Sequence, residues 1–151
     1  MNECPPRDLR PGDELYQATI VEHDRAPRNA GPLPEATHHA TLDNPLCGDV
    51  VTVHARIVDG IVCELSFEGQ GCALSRAAAS MMTTMVRDRT ASGARELAAM
   101  FAQFVQDPPD AVIPDELGEL RAFAGVRRSR SRRVCATLGF RALLRVLEPG
   151  T

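Results

Sequence analysis

Four side chains that can bind a metal ion lie in three separate turns of this 151-residue chain. Cys47 and Asp49 share one turn, Cys72 follows a glycine-rich turn, and Cys135 follows a run of arginines. Thiolates and carboxylates are ligands of tetrahedral zinc. Because a carboxylate oxygen is a harder ligand than a thiolate and exchanges more readily in water, this set favours a metal position that can open for chemistry. A zinc site with a purely structural role is the alternative.

The surroundings of Cys72 favour a reactive thiolate. The sequence of residues 67–75, FEGQGCALS, predicts the end of a strand, a tight turn and then the start of a helix. Apolar residues with helical spacing predict that helix, and these are Leu74, Ala77, Ala78, Met81, Met82 and Met85. Unpaired N–H groups and the macrodipole at a helix N-terminus stabilise a thiolate. For Cys72 considered alone, a buried and unreactive cysteine is an equal alternative.

A predicted β-hairpin brings two of these turns together. Alternating apolar residues predict strands over residues 51–57 and 61–67, with an Asp-Gly turn between them. The first strand begins just after Asp49 and the second ends just before Cys72, so antiparallel pairing places the two residues at one edge of the sheet. Cys63 shares the apolar face of the second strand, and it is therefore predicted to lie in the core.

The run of arginines precedes the last candidate ligand. Five arginines fall within residues 127–133, and apolar residues with helical spacing predict a helix over residues 136–147. Cys135 is therefore expected at a helix N-terminus, with arginines behind it that lower its pKa. Such a run can also bind nucleic acid or form a solvated loop. The net charge of −3 and the 4% aromatic content argue against nucleic-acid binding.

Length and composition predict one globular domain. Residues 1–12 are interpreted as a flexible leader, and residues 13–148 as a single domain that begins with a helix. His38 and His39 are expected at the surface, on opposite faces of a strand. The chain has five cysteines and no apolar run of the roughly 20 residues that span a bilayer, and its first residues are not expected to act as a signal peptide. The expectation is a cytoplasmic protein with metal or thiol chemistry and no membrane partner.

Four motifs together carry a resemblance to a known family. They are Asn44-Pro-Leu-Cys47-Gly-Asp49, Phe67-Glu-Gly-Gln-Gly-Cys72-Ala-Leu-Ser75, Ala79-Ser-Met-Met82 and Cys135-Ala-Thr-Leu138. The chain resembles the iron–sulfur cluster assembly proteins of the IscU/NifU N-terminal family, and in particular its SufU branch. Val134 stands where IscU proteins typically have a histidine, and 62 residues separate the second and third cysteines of the motifs, as in SufU.

The resemblance implies an α+β fold, with a small antiparallel β-sheet covered by α-helices. For the SufU branch it also implies a zinc-dependent sulfurtransferase with Cys47, Asp49, Cys72 and Cys135 as zinc ligands. Cys47 would accept persulfide sulfur from a SufS-type cysteine desulfurase and deliver it to the downstream Suf cluster-assembly machinery. Its position on a loop supports that role, because an acceptor must move. Arg132 matches a SufU-type arginine and is expected to contact the partner.

A second function within the same family stays open at this point. A scaffold protein would assemble a [2Fe–2S] cluster on Cys47, Cys72 and Cys135, and Asp49 would tune its release. Whether the chain is itself an enzyme, or the sulfur-accepting partner of one, is also left open.

Overall fold

The computed structural model describes residues 13–148, with side chains from residue 18 onward. The predicted leader, residues 1–12, lies outside the described residues. The elements are α1 (Asp13–Arg25), β1 (His38–Asn44), β2 (Asp49–Val58), β3 (Ile61–Gln70), α2 (Ala73–Val86), α3 (Ala91–Gln106), a 3₁₀ segment (Asp115–Arg128) and α4 (Arg130–Val146). The strands form an antiparallel sheet in the order β1-β2-β3, so the predicted α+β class is confirmed. Within residues 13–148, no helix is long and apolar enough to cross a bilayer.

One face of the sheet is covered by helices, and the other is polar. β2 alternates buried apolar residues with polar residues that remain partly accessible, and the buried ones are Val51, Val53 and Ala55. Helix α4 packs against β1 and β2, while α2 packs against β3. Beneath them, the Phe101 ring lies 4.8 Å from that of Phe140 and 5.8 Å from that of Phe123, measured between centroids. This aromatic cluster joins α3, α4 and the 3₁₀ segment into the core.

Cys63 does not lie in the core, contrary to the prediction. Arg56 pairs with Glu64 and the next residue, Ile57, pairs with Val62, so Cys63 is the extra residue of a β-bulge. The bulge shifts the alternation of β3 by one residue, which leaves Val62 fully buried and Cys63 half-buried. Strict alternation in the sequence could not indicate this shift, because the bulge exists only in the pairing with β2.

The last helix begins earlier than predicted. α4 starts at Arg130, and the hydroxyl of its N-cap, Ser129, accepts a hydrogen bond from the Arg132 N–H at 3.4 Å. Cys135 consequently lies in the second turn of α4 and is buried. The prediction that Cys135 occupies a helix N-terminus is wrong. The apolar residues mark the buried face of the helix, whereas the serine cap determines where the helix starts.

The arginine run is not a solvated loop along its whole length. Arg127 is buried, and its guanidinium lies 5.1 Å from the centroid of the Phe104 ring. It also donates hydrogen bonds to main-chain oxygens, those of Ala124 (3.0 Å), Ala111 (3.2 Å) and Pro109 (2.7 Å). Arg127 thus attaches the connection after α3 to the core, whereas Arg130 and Arg132 are exposed on the first turn of α4.

Replacing Arg127 by alanine should destabilise the fold by about 2–4 kcal/mol, because carbonyl oxygens that accept charged hydrogen bonds would lose their donor. Urea denaturation followed by circular dichroism measures this change in the free energy of unfolding. Arg130→Ala is the matched control, and its effect should stay within about 0.5 kcal/mol because the side chain is exposed. Equal stability of the two variants would contradict the structural role of Arg127.

Candidate metal centre

Asn44 holds the loop that carries Cys47. The Asn44 carbonyl oxygen accepts hydrogen bonds from the N–H groups of Cys47 (3.2 Å) and Gly48 (2.8 Å), and its side-chain oxygen accepts one from the Leu46 N–H (3.1 Å). Gly48 has a φ of +79°, a backbone conformation that suits glycine. Asn44 itself is buried at the end of β1. The turn is therefore anchored at its base, while Cys47 and Leu46 are exposed at its tip.

Asp49 lies at the start of β2 and is only 5% exposed. Its Oδ1 accepts a hydrogen bond from the Cys72 N–H at 3.2 Å. Its Oδ2 is also buried, and no described residue donates a hydrogen bond to it. Burying a carboxylate oxygen without a partner is unfavourable, so this oxygen is suited to a cation that would bind beside it.

Cys72 is the N-cap residue of α2, as predicted from its place between a glycine turn and a helix. Its backbone N–H is held by Asp49, and its carbonyl oxygen accepts a hydrogen bond from the Ser75 hydroxyl at 3.1 Å. The thiol is exposed and lies 3.8 Å from the Ser75 Oγ. The main chain of Cys72 is thus fixed on both sides, while its side chain remains accessible.

Three of the four predicted ligands lie close together. The Sγ atoms of Cys47 and Cys135 and a carboxylate oxygen of Asp49 all lie within 4.8 Å of one another. The two sulfur atoms are 3.8 Å apart. The Cys72 thiol does not lie within 4.8 Å of all three of these atoms. It is nevertheless near enough to Cys135 to raise the pKa of the Cys135 thiol.

Burial raises the pKa of the Cys135 thiol well above its usual range, and the neighbouring Cys72 and Cys47 thiols raise it further. The prediction that nearby arginines lower this pKa is therefore wrong. Arg127 faces away into the core, and Cys135 lies beyond the helix N-terminus. In the metal-free chain Cys135 keeps its proton, and binding a cation must displace that proton. Affinity for a metal should accordingly increase with pH.

The residues of this cluster are chemically suited to a soft or borderline metal centre. Thiolates bind zinc and iron–sulfur clusters, and a carboxylate is an accepted further ligand of zinc. The structural observation that fits such a group is the Asp49 carboxylate, which lies close to two thiols and has an Oδ2 that is buried and without a hydrogen-bond partner among the described residues. Cys63 is not brought to the cluster, since its thiol points to the Ile61 carbonyl oxygen at 3.7 Å.

The sequence matches the family described as NifU-like N terminal domain over residues 15–136. The chain belongs to this family. The zinc-dependent sulfurtransferase SufU of Bacillus subtilis is 34% identical over 133 residues, which cover 87% of this chain and 88% of that protein. The iron–sulfur cluster assembly scaffold protein IscU of Streptococcus pyogenes is 32% identical over 136 residues, which cover 90% of this chain and 84% of that protein. A crystal structure of a nitrogen-fixing NifU-like protein (N-terminal) from Brucella abortus has a TM-score of 0.79 and 27% identity, and covers 92% of this chain and 98% of that one.

The predicted family is therefore confirmed, and the chain is an iron–sulfur cluster assembly protein of the NifU-like type. The relatives include both a sulfurtransferase and a scaffold at similar identity. In this NifU-like domain the motif residues converge on one end of the sheet, where the β1–β2 turn, the start of α2 and α4 meet.

Arg132 borders this end of the NifU-like domain. It precedes Cys135 by three residues within α4, so the two side chains emerge on the same side of the helix. Its side chain is exposed, and its guanidinium has no hydrogen bond or ion pair with any described residue. The side chain is therefore accessible from solvent, and its contact with a partner stays a prediction.

Gly71 is a site residue that the sequence analysis did not single out. A Cβ atom on Gly71 would collide with the Ser75 hydroxyl and lie 3.2 Å from the Asp49 Cγ. Only glycine lets the chain pass this close to the buried carboxylate. The position of this glycine directly before the N-cap cysteine could have indicated a close contact at the site. The sequence alone does not show that Ser75 and Asp49 are the residues in that contact.

Gly71→Ala should weaken the affinity for Zn²⁺ about tenfold, because the added methyl group displaces Asp49 from its position beside the thiols. Competition with a chromogenic chelator measures this affinity. Gly125→Ala is the control, since a Cβ there meets no atom within 4 Å and Gly125 is remote from the cluster in sequence. If Gly71→Ala binds Zn²⁺ as tightly as the unmodified chain, the position of Asp49 does not govern metal binding.

Proposed function

We propose that the chain is a zinc-dependent sulfurtransferase, in which Cys47 accepts persulfide sulfur from a SufS-type cysteine desulfurase. The observation that carries this proposal is the contrast between an exposed Cys47 on a loop and the buried Asp49 and Cys135 beside it. Sulfur transfer needs one thiol that can reach a partner and others that remain in place. The name of the Bacillus subtilis relative, a zinc-dependent sulfurtransferase, supports the same function.

Cys47, Asp49, Cys72 and Cys135 would be the zinc ligands. Bound zinc would hold the thiols as thiolates and keep them from reacting until a donor docks. The three cysteines differ in how the surrounding structure holds them. Cys135 is buried within α4, and Cys72 is the N-cap of α2 with its N–H hydrogen-bonded to Asp49. Cys47 lies instead on an exposed turn between two strands, where its N–H is hydrogen-bonded to the Asn44 carbonyl oxygen.

The transfer itself is a thiol exchange that needs no added oxidant. The Cys47 thiolate attacks the outer sulfur of the donor's cysteine persulfide, the sulfur–sulfur bond of the donor breaks, and the donor cysteine leaves as a thiolate. Cys47 then carries the persulfide. The exposure of Cys47 allows this sulfur to be passed on to the downstream Suf cluster-assembly machinery. In this function the chain acts as the sulfur-accepting partner of an enzyme.

A [2Fe–2S] scaffold function has support of its own. The Streptococcus pyogenes relative, at 32% identity, is named an assembly scaffold. The same three cysteines, Cys47, Cys72 and Cys135, would hold the cluster, and Asp49 would influence its release. The metal content of the chain purified in air separates the two functions, since a sulfurtransferase contains zinc and a scaffold contains iron and inorganic sulfide.

Cys47→Ser should abolish sulfur transfer while the chain still folds, because the hydroxyl of serine cannot form a persulfide. Incubating the chain with a SufS-type desulfurase and cysteine, followed by mass spectrometry of tryptic peptides, shows which cysteine gains 1 sulfur atom. Cys63→Ser is the matched control and should behave like the unmodified chain, because Cys63 lies on a β-bulge away from the cluster. Persulfide on Cys72 or Cys135 but never on Cys47 would overturn the assignment of the acceptor.

Arg132→Ala should raise the concentration of the chain that half-maximally activates the desulfurase by about 10- to 100-fold, without loss of zinc. A guanidinium that clamps a partner carboxylate contributes about 1.5–3 kcal/mol. Desulfurase turnover is measured against the concentration of each variant. Arg130→Ala is the control from the same turn of α4 and should cause a smaller change. Unchanged activation by Arg132→Ala would exclude the docking role.

A further inference from the structure

The open face of the sheet carries two histidines side by side. His39 on β1 is the direct cross-strand partner of His54 on β2, and their ring centroids are 6.2 Å apart. His38, although adjacent in sequence, points to the opposite side of β1 and contacts the Thr37 hydroxyl at 2.8 Å. The register of the strands therefore pairs His39 with a histidine that lies 15 residues further along the chain.

Glu68 on β3 fixes the orientation of one of these rings. The His54 Nε2 lies 2.9 Å from the Glu68 Oε1, and the His54 side chain is only 18% exposed. Because an ionised carboxylate can only accept a hydrogen bond, the proton of the neutral ring is on Nε2. The lone pair is then on Nδ1, the nitrogen that Glu68 does not contact. A carboxylate that hydrogen-bonds the far nitrogen of an imidazole is a common arrangement behind metal-bound histidines.

We propose that His39 and His54 bind a divalent transition-metal ion on this face, with Glu68 as the hydrogen-bond partner of His54 and water as the remaining ligands. A metal ion 2.0–2.1 Å from an imidazole nitrogen lies about 3 Å from the centre of that ring. At the tetrahedral angle, two ligating rings therefore have centres about 5 Å apart, so the exposed His39 side chain must rotate to shorten the observed 6.2 Å by about 1 Å. Imidazole ligands suit zinc, nickel and copper ions.

This histidine site is separate from the cysteine cluster. Asp49 is buried on the helix-covered side of β2, whereas His54 lies on its polar side. The two residues are five positions apart along the strand, which corresponds to roughly 17 Å. No residue is shared between the two sites, so the chain can hold a second metal ion that is bound by fewer protein ligands and exchanges more readily.

The proposal is tested on the full, untagged chain after its cysteine cluster has been saturated with Zn²⁺. Isothermal titration calorimetry with further Zn²⁺ should show that the chain binds one additional equivalent of Zn²⁺. His39→Gln and His54→Gln should lose this equivalent, and Glu68→Gln should weaken it about tenfold. His38→Gln is the matched control, because it removes a neighbouring histidine from the other side of β1.

Imidazole ¹H–¹⁵N spectra of the unmodified chain give a second measurement that does not depend on how the variants fold. The chemical shifts of the His39 and His54 ring nitrogens should change while the second equivalent of Zn²⁺ is added, and those of the His38 ring nitrogens should not. The proposal is wrong if no second equivalent binds, if it persists in His54→Gln, or if His38→Gln removes it equally.

Discussion

The hydrogen bond between the Asp49 carboxylate and the Cys72 N–H holds the site together. It links the first residue of β2 to the N-cap of α2, across the end of the hairpin at which Val50 pairs with Gln70. This contact uses Oδ1 and leaves Oδ2 buried and without a hydrogen-bond partner among the described residues, in a carboxylate that lies close to the Cys47 and Cys135 thiols. The energetic penalty of that orphaned oxygen is the physical reason to expect a cation there. Gly71 permits the arrangement, because any side chain at its position would push the carboxylate away.

Burial distinguishes the candidate ligands from one another. Cys135 is held inside a helix, and burial there raises the pKa of its thiol. Cys47 is exposed on a turn whose base is hydrogen-bonded to Asn44. The cluster therefore combines an exposed thiol on a turn with a thiol that is buried inside a helix. The Ser129 cap contributes indirectly, because it starts α4 early enough to bury Cys135 and to expose Arg132 on the preceding turn.

The two faces of the sheet have separate roles. The face toward the helices is apolar and ends in the cysteine cluster, whereas the other face carries polar cross-strand pairs such as Thr41 with Thr52, whose hydroxyls are 2.7 Å apart. The His39–His54 pair belongs to this second face. Because alternate residues of a strand point to opposite faces, one strand, β2, can supply ligands to both without any competition between them.

Motif spacing, hydrophobic periodicity and an Asp-Gly turn are local signals. They were therefore sufficient to predict the family, the α+β class and the approach of the turns of Cys47, Asp49 and Cys72 at one edge of the sheet. Other features arise only from packing. The bulge at Cys63 exists only in the pairing of β2 with β3, the burial of Arg127 depends on carbonyl oxygens far away in the chain, and the raised pKa of Cys135 results from packing rather than from neighbouring arginines. His39 and His54 meet only through strand register. Each of these features depends on which residues come together in space, and local patterns along the chain do not show which residues those are.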